Sequence, residues 1–161
     1  HQHVTMEDEG RLIGRCALPL TLQEKLREAP LVMLEASLEE RVHHSWENYI
    51  LSNYREQVAI CNSDAIAFTA FADSLRLSLG NIRKRLGGAR YQELSKVLEA
   101  ALAAHQQGDP EPHKQWIEVL LRDYYDPMYD YQLKSKQRHV VFCGNFTEVL
   151  EFLPRSVRHA E

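Results

Sequence analysis

The apolar positions of this chain change their period more than once, and the changes predict its elements. Val4, Thr5 and Met6 form a short apolar, β-prone run with no room for helical spacing, which predicts a strand buried on both faces of a parallel sheet. Leu31–Leu34 repeats the pattern, and so does His139–Cys143, closed by Gly144 and Asn145. After the first run, Thr21-Leu-Gln-Glu24 has capping-box spacing, and Leu22, Leu26 and Ala29 share a helical face that Pro30 ends. Ser37-Leu-Glu-Glu40 is a second capping box, followed by a stripe of Leu38, Val42, Trp46, Tyr49 and Ile50. Two strand–capped-helix units in succession predict an α/β fold with a parallel sheet.

From Ser63 the period is helical. Ile66, Ala67, Ala70, Phe71 and Leu75 trace one helix, and Ile82 and Leu86 bracket an Arg83-Lys84-Arg85 triplet. Gly87-Gly88 breaks the pattern, and Tyr91, Leu94, Leu98, Ala101, Leu102 and His105 trace the next helix. Gly108 to Pro112 stops it, and Trp116, Val119 and Leu120 anchor a further helix through Tyr124. Asp126-Pro127 reads as an N-cap with proline at the first helical position, so one helix stops and another starts there. Thr147 caps a last helix with Val149, Leu150 and Leu153 inward. The expected organisation is an α/β part over 1–60, a helical insertion or lid over 61–125, and a return helix, last strand and C-terminal helix over 126–161. The sheet should hold about three strands beside a large helical subdomain.

Composition changes this picture little. The 161 residues suffice for a domain with a real core, and 44% apolar and 26% charged residues are ordinary for a soluble one. A net charge of −4 argues against a surface that coats nucleic acid generally. The charge is uneven, however. Between Arg76 and Tyr91 stand Arg76, Arg83, Lys84, Arg85 and Arg90 with no acid, while the first seventy residues are net acidic. Cys16, Cys61 and Cys143 form no CxxC pair, which fits a reducing cytoplasm. No apolar run has the length of a membrane span, and His1-Gln2-His3 is no signal peptide. The chain opens almost directly in a strand, without Met, and reads as a piece of a longer protein.

Four groups are candidates for chemistry. The predicted first strand ends in Glu7, Asp8 and Glu9, followed by Arg11, Gly14 and Arg15. This is a solvated loop or, since α/β sheets bind ligands beyond their strand ends, part of a site. Arg41 opposes the dipole in the first turn of its helix, as a solvated side chain or a functional one. His43 and His44 have no partner at metal spacing. Tyr124, Tyr125, Tyr129 and Tyr131 either stack on bases or lie half-buried with their hydroxyls paired to Asp123 or Asp130. Lys134, Lys136 and Arg138 form a second small basic patch. The chain has no GxxxxGK[ST] loop, GxGxxG, HExxH or Ser-His-Asp arrangement.

Three segments, VTMEDEGRLIGRCALP, APLVMLEASLEERV with the following Tyr49, and LLRDYYDPMYDYQL leading into HVVFCGNFTEVLEFL, together resemble the C-terminal part of the bacterial tRNA 2-selenouridine synthases. The resemblance runs from about Val4 to Leu153. It implies a partial P-loop NTPase-like sheet, in a protein whose N-terminal rhodanese-like domain carries the active cysteine. This chain lacks that domain and the Walker A loop, and none of its three cysteines takes the catalytic role. The resemblance further implies action on the wobble uridine of the tRNAs for Lys, Glu and Gln. Its 2-thio group is geranylated by geranyl diphosphate, then exchanged for selenium from selenophosphate. Both donors are phosphorylated and need cationic neutralisation, with Mg2+ a candidate companion. Glu7, Asp8, Arg11, Arg15 and Arg41 are the donor-site candidates. Arg83, Lys84, Arg85, Arg90, Lys134 and Lys136 are candidates for the tRNA backbone, and Tyr125 and Tyr129 for stacking. Two other readings stand beside this one: a P-loop kinase-like fragment acting on another phosphorylated substrate, and a non-catalytic helical RNA-binding module.

Overall fold

The computed structural model describes residues 4–8, 11–135 and 139–158. Contacts divide the chain into two compact units, 37–129 and the pair of segments 1–36 with 130–161. The sequence pattern sets a boundary near residue 60; the contacts group the helices after Ser37 with the helical unit.

In the larger unit the Ser37 hydroxyl accepts from the Glu40 N–H at 3.2 Å, and the Glu40 carboxylate accepts from the Ser37 N–H at 2.7 Å. This expected capping box starts α2 (Leu38–Trp46), and the same bonds hold the Glu40 carboxyl below its usual value. The helix runs on through a π-helical turn, Glu47–Ser52, into α3 (Asn53–Ile60). A π turn carries an extra residue and shifts the phase of the residues after it. Val42, Trp46 and Ile50 therefore keep the buried stripe, while Tyr49, expected on it, is 62% exposed. The unit continues with α4 (Asp64–Asn81), α5 (Arg83–Leu86), α6 (Gly88–Gln106) and α7 (His113–Leu120). Gly87 separates α5 from α6 at φ +82°, a conformation that side-chain-bearing residues rarely adopt. A second π turn, Leu121–Tyr125, leads into α8 (Asp126–Ser135). The expected helix stop at Asp126-Pro127 is instead a continuous helix with a widened turn before the proline, a usual way to seat one in mid-helix.

Among the described residues, every buried apolar side chain lies in this unit. Phe71 and Ile50 are fully buried, with Leu75, Leu79, Leu94, Leu98, Leu102, Ile117 and Leu120 around them. The rings of Tyr54, Phe68, His105 and His113 all pack on Phe71, joining α3, α4, α6 and α7. The two histidines satisfy each other. Trp116 Nε1 donates to His113 Nδ1 at 3.0 Å, so the neutral His113 carries its proton on Nε2 and donates it to His105 Nδ1 at 3.2 Å. Protonating His113 would set an N–H against the indole N–H. Burial, and then the neighbouring His105, push it down to about 4; burial also lowers His105.

The smaller unit is lightly packed. β1 (Leu12–Ile13) and β2 (Cys16–Ala17) form a two-residue antiparallel hairpin, and α1 is Leu20–Glu28. α1 starts after Pro19, so Thr21 lies inside the helix and the first expected capping box does not form. β3 (Leu31–Leu34) pairs in parallel with β4 (Val140–Gly144), matching Val32 to Phe142 and Leu34 to Gly144. α9 (Phe146–Arg158) lies against both strands, with Phe152 stacked on Phe142 at 4.3 Å. Asn145 rather than Thr147 caps it, exchanging bonds with Glu148 at 2.8 and 3.1 Å. A Cβ on Gly144 would meet the Glu148 carboxylate at 2.8 Å and the Phe142 ring at 3.0 Å, so a larger residue there would have to displace both side chains. The expectation of a three-strand parallel sheet is corrected: the described residues give a parallel pair. Val4–Met6 are exposed and outside any strand, because no described strand offers them a ladder.

Two stability measurements test this packing. Replacing Ser37 with Ala removes the α2 cap and should lower unfolding free energy by about 1 kcal/mol in a denaturant titration. The lowered histidines mean that the unfolded chain binds more protons below about pH 6.5, so their stabilisation is complete above that pH and falls toward pH 4. The melting temperature should drop between pH 7 and 5, with His113→Gln flattening the profile; a pH-independent wild-type midpoint would refute the assignment.

Candidate nucleic-acid interface

Residues some forty positions apart meet on one surface of the larger unit. The turn at Gly87 brings α6 back beside α5, and the Arg83 guanidinium lies 5.1 Å from the Tyr91 ring centroid. Arg85 Nη1 reaches the Tyr124 hydroxyl at 3.5 Å, and Arg90 Nη1 donates to the Asp123 carbonyl at 3.2 Å. Tyr124 meets Tyr125 edge-on at 4.9 Å, and Tyr125 stacks with Tyr129 at 6.5 Å. Five sequence candidates, Arg83, Arg85, Arg90, Tyr125 and Tyr129, are thus linked through Tyr91, Tyr124 and the second π turn. Burial, then the nearby Tyr124, Tyr129 and Tyr49 hydroxyls, raise the Tyr125 phenol above its ordinary value, so it is neutral at physiological pH. Tyr129 is 56% exposed. Neutral phenol faces beside guanidinium groups can stack bases and contact phosphates together.

The acids of this surface are neutralised locally. Asp123 accepts from Arg122 Nε at 2.8 Å, and Asp126 takes both Nη groups of Arg41, one at 3.0 Å and the other closer. Arg41 Nε is buried with no hydrogen-bond partner among the described residues. Its fork is committed to Asp126, so a phosphate would have to displace that carboxylate. Sequence pattern offers no sign of this pair, whose members stand 85 residues apart.

The remaining candidates are dispersed. Lys84 is exposed and makes no hydrogen bond or ion pair with the described residues. Glu7, Asp8, Arg11 and Arg15 are exposed in the smaller unit, Arg11 and Arg15 flanking or turning the β1–β2 hairpin. Lys134 is exposed, and Lys136 lies outside the described residues. Among the described residues no three His, Cys, Asp or Glu side chains group as a metal ion requires, and the cysteines are unpaired. A hollow on α4, lined by Ala65, Ile66, Thr69, Ala70 and Asp73, contains none of the candidates. Tyr49 and Tyr91 escape sequence reasoning, because their spacing places both in the core. No helix among the described residues is long and apolar enough to cross a membrane.

Comparison with known proteins gives this surface a context. The family model described as the tRNA 2-selenouridine synthase AAA domain matches residues 1–160. The tRNA 2-selenouridine synthase of Hahella chejuensis is 52% identical over 151 residues, covering 94% of this chain and 40% of the relative. Those of Azotobacter vinelandii and Ectopseudomonas mendocina are 47% and 44% identical over 149 and 155 residues, covering 92% and 96% of this chain and 40% and 41% of theirs. The chain spans about two fifths of the length of these curated relatives. No solved structure matches it. By a family match over nearly its whole length, the chain belongs to the tRNA 2-selenouridine synthase family.

Proposed function

We propose that this chain is the tRNA-holding part of an enzyme that converts wobble 2-thiouridine to 2-selenouridine through S-geranyl-2-thiouridine. Geranyl diphosphate and selenophosphate are the donors, the rest of the polypeptide supplies the rhodanese cysteine and Walker A loop, and the reaction takes place in the cytoplasm. The tRNAs for Lys, Glu and Gln are the substrates. The observation that carries this reading is that Arg85 reaches Tyr124 in the second π turn, where Tyr125 stacks with Tyr129, while the nearby Arg83 lies over Tyr91, in a chain of this family. Stacking faces beside cations suit an RNA loop whose bases are splayed out, better than a duplex. Arg83 and Lys84 contact the phosphate backbone, with Arg85 beside them, and Tyr125 and Tyr129 take bases. Lys134 and Lys136 are further candidates for the tRNA backbone. In the smaller unit Arg11 and Arg15 meet donor phosphates, and Glu7 and Asp8 organise the cation or water that accompanies them. The described residues offer no grouped ligands for Mg2+.

Titrating the chain with tRNA at several salt concentrations tests the reading. Replacing Arg83 and Lys84 with Ala should weaken binding and lower the slope of log affinity against log salt by about two. An unchanged slope would remove both residues from the interface. A wild-type chain that ignores tRNA would favour a kinase-like fragment acting on another phosphorylated substrate.

A further inference from the structure

Pro127 lies inside a continuous helix and has no N–H. The turn before it bonds five residues back, Asp126 N–H to the Leu121 carbonyl, so the missing donor leaves unserved either the Arg122 carbonyl or, as the winding returns to four residues back, the Asp123 carbonyl. The structure supplies the Asp123 carbonyl with a donor from elsewhere in the fold: Arg90 Nη1, projecting from the first turn of α6, at 3.2 Å. The proline side of the same turn is held by a second arginine, since Asp126, immediately before Pro127, is gripped bidentately by Arg41 from α2. Tyr124 and Tyr125 lie between these two fixed points, and Tyr129 stacks on Tyr125.

We infer that Arg90 is a positioning residue, which replaces the donor missing at Pro127 and so holds the Tyr124–Tyr125 turn, rather than a contact to nucleic acid. Arg41 serves the same turn from the other side through Asp126. The basic stretch of the sequence then has two roles. Arg83 and Lys84 face outward, and Arg90 faces the chain's own backbone. The affinity arm of the test rests on the proposed RNA reading; the stability arm does not.

The stability arm is a double-mutant cycle in the full chain. Arg90→Ala should lower the melting temperature by about 2–4 °C, and the loss should shrink by half or more in a Pro127→Ala background, where residue 127 regains an N–H. Equal losses in both backgrounds would overturn the link to the proline. The affinity arm uses Arg90→Gln, which keeps an N–H donor and loses the charge. Gln should hold tRNA within about threefold of wild type, while Arg90→Ala weakens it by about three- to tenfold, both with the wild-type salt slope. A slope lowered by about one in both variants would make Arg90 a phosphate contact and overturn the inference. If the wild-type chain binds no tRNA, the proposed function fails while the melting cycle still decides the role of Arg90.

Discussion

Four helices of the larger unit meet on one phenylalanine. Phe71 is fully buried, and the rings that surround it come from α3, α4, α6 and α7. Two of them are histidines, whose polar nitrogens must be satisfied at the centre of an apolar cluster. The Trp116–His113–His105 relay does this with a single arrangement of protons. That arrangement fixes the rotation of α7 relative to α6. Because α7 runs directly into the second π turn, it also fixes where the tyrosine turn emerges.

The helices of this unit are legible in the sequence because their buried faces repeat at helical spacing. Leu94, Leu98, Ala101, Leu102 and His105 are buried as the pattern of α6 requires, and the Ser37 capping box forms. The pattern misleads where a π turn changes the phase. Spacing puts Tyr49 in the core, yet it stands exposed, and Asp126-Pro127 has the composition of a break yet lies in a continuous helix. Period counting assumes a constant number of residues per turn, and two segments of this chain depart from it.

The smaller unit is legible in its strands but not in their number. Leu31–Leu34 and Val140–Gly144 pair in parallel across more than a hundred residues, as the α/β pattern implies. Val4–Met6 carry the composition of a strand without a described neighbour to pair with. Side-chain alternation on β4 is clear: Phe142 packs under α9, while Val141 and Cys143 stay exposed. The candidate interface is half legible. Its cations and tyrosines can be picked out by type, but the pairings that give Arg90 and Arg41 internal partners join distant residues and leave no trace in spacing.

The two π turns also bear on how chain length can vary within this fold. Each turn holds one residue more than regular helical winding needs. Excising a single residue from Glu47–Ser52 or Leu121–Tyr125 would let the backbone close as an ordinary helix, complete in the first case and lacking only the proline's bond in the second. Because the wide turn absorbs its extra residue, everything downstream would keep its face on the axis. A one-residue gap in either place would therefore preserve the scaffold on both sides, making these turns points at which the chain can change length without rebuilding the core.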